Sequence, residues 1–272
     1  MFTGFVLTIA AFALAFVVNF VLRDRSLDAL PNPPVTLKTR ELCSREVHVG
    51  VVGDSWVCEH KLDTALARSL KQGGLKATVN SSGHPGAKSR QIYRNLQAPE
   101  GVMYSSQHIL AAQPDYLIIV AGVNDTAGHS GRSFYAHHVL ASVKLAQAYG
   151  VHPIVVEVPE YDIEHTRAPS FAMTLKRALY RALFDGSRQN VIGHYRERLR
   201  EFSALEDPTQ LSFFPFDSFI EDYNAAIGMY EDSLHLSHKG AKAFATALSD
   251  YILVLHSRRL DNKTFGLELI AA

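Results

Sequence analysis

A hydroxyl, an imidazole, a carboxylate and an amide stand at three separated places in this sequence: Ser55 in Gly53-Asp54-Ser55, Asn124 in Gly122-Val123-Asn124-Asp125, and Asp232 and His235 in Asp232-Ser233-Leu234-His235. A serine hydroxyl is a weak nucleophile at neutral pH and needs a base to take its proton. An imidazole titrates near pH 6.5 and can accept and return that proton. A carboxylate three residues before it could hold the other ring nitrogen. Each residue also has a plainer reading. Gly-Asp-Ser suits a turn or a helix N-cap, Asp232 could cap the last helix, and Asn124-Asp125 could form an Asx-turn. His235 and His238, three apart, could be metal ligands, although no third and fourth ligand stand near them in the sequence.

The elements that would position these residues follow from periodicity. Apolar, β-rich runs occur at 47–52, 75–80, 115–121 and 152–158, with a weaker one at 210–214. Amphipathic stretches lie between them at 56–72, 88–97, 103–112, 132–149 and 168–184, and a final helix is expected over about 238–256. Near-continuous apolar runs such as Leu117-Ile118-Ile119-Val120 suit strands covered on both faces. The alternation predicts a doubly wound, three-layer α/β/α domain of flavodoxin-like type with a central parallel sheet. In such folds ligands lie outside the carboxyl ends of the strands, and the three blocks named above fall at those ends or just before the last helix.

Taken in order, the blocks Gly53-Asp54-Ser55, Gly86, Gly122-Val123-Asn124-Asp125 and Asp232-Ser233-Leu234-His235 resemble those of the SGNH (GDSL-type) hydrolase superfamily. The resemblance spans roughly residues 46–256. It implies that Ser55 is the nucleophile, His235 the base and Asp232 its partner, and that the backbone N–H groups of Ser55 and Gly86 and the Asn124 amide form an oxyanion hole. Gly83 is the other candidate for the second block. Trp56 departs from the commoner leucine or isoleucine after the serine, and shaping an acyl pocket or simple packing would each account for it. The chemistry calls for no metal and no organic cofactor.

The expected activity is that of a serine esterase on small acyl esters, O-acetyl groups of a saccharide or polysaccharide foremost. A polysaccharide O-acetyltransferase would use the same residues, because only the second nucleophile differs. A lipid-directed thioesterase or lysophospholipase, and a non-catalytic carbohydrate-binding module, are the other readings. Aromatic residues of the stretch 205–231, with Phe213, Phe214, Phe216, Tyr223 and Tyr230, suit either a sugar-stacking wall or an ordinary core.

Composition bounds the partners. The 272 residues carry 27 basic and 27 acidic side chains, which gives no electrostatic reason to expect nucleic acid. The local cluster Lys88, Arg90 and Arg94 reads as a solvated helix face, although it adjoins the expected oxyanion loop. His137-His138 reads as surface. Residues 2–22 hold no charge and are long enough for a transmembrane helix, so the expected organisation is an anchor at 1–22, a linker at 23–45 and a catalytic domain at 46–272. The catalytic domain would face the periplasm or cell exterior, where it could work beside a membrane acyl-donor partner, while Arg23 and Arg25 argue for the cytoplasm. Cys43 and Cys58 flank the first strand, about 20 Å apart, too far for a disulfide.

Overall fold

The computed structural model describes residues 7–8, 11–12, 15, 25–31, 42–43, 46–165, 170–185, 190–204 and 210–270. Its centre is a five-stranded parallel sheet of β1 (Glu46–Gly53), β2 (Lys76–Gly83), β3 (Tyr116–Val120), β4 (His152–Val156) and β5 (Ser212–Phe214), in the order β2-β1-β3-β4-β5. This is the flavodoxin-like order expected from the alternation of elements. Every residue of β3 and β4 is buried, as is required of a strand covered on both faces. At the edge, β2 alternates exposed and half-buried residues along most of its length.

Helices cover both faces. On one lie α2 (Leu62–Gln72) and the long C-terminal α9 (His238–Ile270); on the other lie α3 (Ser89–Gln97), α6 (Arg132–Ala148) and α8 (Val191–Ser203). Short helices α1 (Ser55–Cys58), α4 (Gln107–Ala111) and α5 (Val123–Ala127) and the lateral α7 (Phe171–Tyr180) complete the set. The sheet register aligns the strand ends: Gly53 pairs with both Gly83 and Val120, and Val120 with Val156. The segments that leave β1, β2, β3 and β4 therefore emerge on one edge. The order reverses at β1, which sets a crevice between the ends of β1 and β3.

Four elements differ from the sequence expectation, the first being the final helix, expected to end near residue 256, which runs on to Ile270. The helix expected over 56–72 is two helices, because His60 and Lys61 both adopt the left-handed backbone conformation, with φ of 54°. The segment 168–184 is a helix that widens into a π-type turn at Arg181–Asp185. Helix α8 was not expected at all, although its buried Val191, Ile192, Tyr195 and Leu199 follow helical spacing.

Part of the segment read as a linker is docked on the domain. Asp28 accepts hydrogen bonds from Arg90 and Arg94, and the Ala29 carbonyl accepts one from the Tyr93 hydroxyl at 2.8 Å. The expected membrane-spanning segment lies outside the described residues except at positions 7, 8, 11, 12 and 15. Among the described residues no helix is long and apolar enough to cross a membrane. The Cys43 and Cys58 thiols are both free.

Candidate active site

The turn that carries Ser55 is built by close backbone packing. At the end of β1, Asp54 caps the single-turn helix α1, its carboxylate accepting the Trp56 N–H at 3.1 Å. The turn folds down onto two strand-end glycines. A Cβ on Gly53 would stand 2.5 Å from the Val120 carbonyl oxygen, and one on Gly83 would stand 2.5 Å from the Cys58 nitrogen. Both contacts are with backbone, which cannot swing aside, so glycine is the residue that fits. Ser55 itself opens α1 and is 3 % exposed. Its hydroxyl and its backbone N–H have no hydrogen-bond partner among the described residues.

The Asp-x-x-His loop folds around its own carboxylate. One Asp232 oxygen accepts the backbone N–H groups of Leu234 at 2.7 Å and His235 at 2.6 Å. The other lies 2.8 Å from His235 Nδ1. An ionised carboxylate only accepts hydrogen bonds, so Nδ1 carries the proton and Nε2 is left with its lone pair. Burial lowers the imidazole's proton affinity, but the hydrogen bond and charge of Asp232, with Glu59 and Glu231 adding to them, outweigh it. The His235 pKa is raised above its ordinary value. In turn, burial pushes the Asp232 carboxyl upward, but the donors from His235 and Leu234 hold it below the usual range.

Trp56 joins the two halves. Its indole N–H donates to the Leu234 carbonyl at 3.1 Å, linking the neighbour of Ser55 to the neighbour of His235. The ring is 5 % exposed and packs edge-on against Phe216, Tyr230 and Phe244. Trp56 is thus a packing residue that also pins the histidine loop to the serine turn. No hydrogen bond joins Ser55 Oγ directly to His235; such contacts are commonly long in substrate-free sites and tighten on binding. Trp56→Phe keeps most of the ring but leaves the Leu234 carbonyl without its donor. It is expected to lower the unfolding free energy by about 1–2 kcal/mol, read by urea denaturation, and to lower kcat several-fold with little change in KM.

Gly86 and Asn124 approach from the other side of the turn. Gly86 has φ of +77°, a backbone conformation that favours glycine. A Cβ there would meet no atom within 4 Å, so the space before its amide is open. The Gly86 N–H has no hydrogen-bond partner among the described residues. The two candidate glycines thus differ in role: Gly83 supports the serine turn, and Gly86 presents an amide. The Asn124 amide donates to Asp54 Oδ2 and to the Ala87 carbonyl, both at 3.2 Å, bridging the β1 and β2 ends. Asp54 is wholly buried, and burial raises its pKa to about 7 against the opposing donors Trp56 and Asn124. Asp125 ties the third block to α3, accepting the backbone N–H and hydroxyl of Ser89, each at 2.8 Å.

Other expectations are corrected by packing. Lys88 and Arg90 do not form a solvated face: Lys88 is half-buried, its ammonium 2.8 Å from the Ser130 hydroxyl, and Arg90 pairs with Asp28. His138 is fully buried, bonded to the Phe134 carbonyl, and burial lowers its pKa to about 4. Phe214, Phe216 and Tyr230 belong to the core rather than to an open wall. His238 packs edge-on against His60, with ring centroids 4.4 Å apart. Among the described residues, the cluster that could offer ligand atoms to a cation is instead Glu59, His60 and Glu231, whose ligand atoms lie within 4.8 Å of one another.

The family profile of the GDSL-like Lipase/Acylhydrolase family matches residues 51–243, from β1 through the start of α9. The chain belongs to this family. As a GDSL-like lipase/acylhydrolase it is an enzyme of the serine ester hydrolase class. Among solved structures it is similar to the lipase/acylhydrolase from Enterococcus faecalis, at 16 % identity and a TM-score of 0.56 over 76 % of this chain and 95 % of that one. The structure of TesA gives 16 % identity and a TM-score of 0.54 over 76 % and 97 % of the respective chains. The psychrotrophic esterase EstA from Pseudoalteromonas sp., inhibited by monoethylphosphonate, gives 15 % and 0.52 over 79 % and 98 %. At these identities the likeness is one of fold. No curated protein matches the sequence.

Proposed function

We propose that this acylhydrolase is a serine esterase for small acyl esters, O-acetyl groups of a saccharide or polysaccharide, working through an acyl-enzyme on Ser55. The observation that carries the reading is the Asp232 carboxylate on His235 Nδ1 at 2.8 Å, in a loop tied through Trp56 to the serine turn. In the first step Ser55 Oγ bonds to the ester carbonyl carbon while its proton passes to His235 Nε2. The oxyanion is met by the open N–H groups of Ser55 and Gly86 and by Asn124, whose long bond to Asp54 or Ala87 gives way. The C–O bond then breaks, and the sugar hydroxyl leaves with the proton from His235. Water repeats the sequence in reverse and frees the acid.

A short acyl group suits the surroundings. Trp56 lies in the core rather than along an acyl groove, and the cavity beside Gly86 and Asn124 carries six cationic side chains among its lining residues. A sugar hydroxyl in place of water would make the same residues an O-acetyltransferase. The uncharged run at 2–22 supports anchoring to a membrane; a polysaccharide substrate calls for a catalytic domain outside the cytoplasm, against the bias of Arg23 and Arg25. A chain-length series of p-nitrophenyl esters tests the acyl reading: acetate should be turned over best. A maximum at eight carbons or more would favour a lipid-directed enzyme. Release of acetate from an O-acetylated polysaccharide is then the substrate test.

A further inference from the structure

A cavity of about 550 Å³ opens beside the Gly86 and Asn124 donors, and six cations stand in its wall, Arg25, Lys88, Arg90, Arg94, Lys176 and Arg177, beside the apolar surface of Phe134, Met173 and Tyr180. They come from four parts of the chain, namely the docked segment at 25–31, the loop after β2, α3 and α7. Among the described residues no Asp or Glu lines it. The nearby Asp28 carboxylate is shared between the Arg90 and Arg94 guanidinium groups, with contacts of 3.1 and 2.8 Å.

Lys88 is the centre of the arrangement, two residues beyond Gly86. Its ammonium donates to the neutral Ser130 hydroxyl rather than to a carboxylate. Gly128 makes room for it, since a Cβ there would stand 2.5 Å from Lys88 Nζ. Burial lowers the Lys88 pKa; Asp125 opposes this, while the like charges of Lys176, Arg177 and Arg25 add to it. Arg25 is held by the Ser130 carbonyl and stacked on the Phe184 ring, 3.4 Å from its centroid. Cations gathered and fixed in this way repel one another, and a ligand oxyanion in the cavity would relieve that repulsion.

We propose that this cavity binds an anionic group, phosphate or carboxylate, carried by the saccharide next to the ester under attack. The enzyme then selects acidic or phosphorylated acetyl-saccharides over neutral ones. The inference rests on the esterase reading above for its catalytic part, while anion binding stands independently of it.

The test uses the full-length chain. Acetate release is measured from 3-O-acetylglucose, 3-O-acetylglucuronate and 3-O-acetylglucose 6-phosphate, and binding of ester-free glucose, glucuronate and glucose 6-phosphate by calorimetry. At least one anionic ester should exceed the neutral one in kcat/KM by about tenfold or more, as expected for a charge-assisted contact. That ratio should fall toward one in 0.5 M NaCl and in both Lys88→Gln and Lys176→Gln. Lys242→Gln, an equal charge change on α9, should keep it. Equal turnover of all three esters, or a preference that survives both lining substitutions, would overturn the proposal. Faster cleavage of lysophosphatidylglycerol than of either soluble anion would overturn its saccharide part by placing the phosphate on a lipid. If no ester is cleaved but the ester-free anions bind in a Lys88-dependent way, the anion cavity stands and the esterase reading fails.

Discussion

Ser55→Ala is expected to lower kcat/KM toward p-nitrophenyl acetate by about 10⁴-fold or more, the scale seen when a serine hydrolase loses its nucleophile. The substitution removes one oxygen from a residue that is 3 % exposed and whose hydroxyl has no hydrogen-bond partner among the described residues. Nothing structural depends on that oxygen. The backbone N–H of residue 55 and the Asp54 cap remain in place, so the melting temperature should move little. His235→Ala should cost a similar factor. The double variant should be no worse than the worse single one, because a base has no role once its nucleophile is gone. Additive losses would mean that the two residues act in separate steps.

Asp232→Asn is expected to lower kcat by about 10²–10⁴-fold and to move the acid limb of the pH profile. The base must be neutral to accept a proton, so activity falls as pH drops through the His235 pKa. Asp232 raises that pKa above the ordinary histidine value by hydrogen bond and charge, which puts the wild-type acid limb above about pH 6.5. Replacing the carboxylate by an amide removes the charge, and the limb should shift to lower pH. The amide can also hold the ring in the wrong tautomer, which is the larger part of the expected loss. Profiles of kcat/KM between pH 5 and 9 separate the two effects. A limb that stays in place, or moves upward, would mean that Asp232 does not face the base.

The candidate site was legible in the sequence because of where its residues sit. Ser55, Asn124, Asp232 and His235 sit at strand ends or just before a helix, where residue types are restricted both by backbone geometry and by reaction chemistry. The central parallel sheet followed from apolar runs long enough to be buried on both faces, as in β3 and β4, alternating with helices. What was missed depends on contacts between segments far apart in the chain. Lys88, Arg90 and Arg94 look like a wet helix face until Asp28, about sixty residues earlier, docks against two of them and α7 closes the opposite wall. His138 looked like half of a surface pair, yet it is buried against Phe134 because α6 packs between α3 and α8. Helix α8 was masked by its charged face, and the break at His60-Lys61 by an amphipathic pattern that runs through it. The tie from Trp56 to Leu234 spans 178 residues and has no local signature.

The most direct test of an activated Ser55 is labelling with an alkyl fluorophosphonate, read by intact mass and by peptide mapping. The expected result is one stoichiometric phosphonyl adduct on the peptide carrying Gly53-Asp54-Ser55, absent in Ser55→Ala, at least 100-fold slower in His235→Ala, and accompanied by loss of esterase activity. Ester turnover that persists after labelling, or an adduct on another residue that accompanies the loss of activity, would contradict Ser55 as the nucleophile.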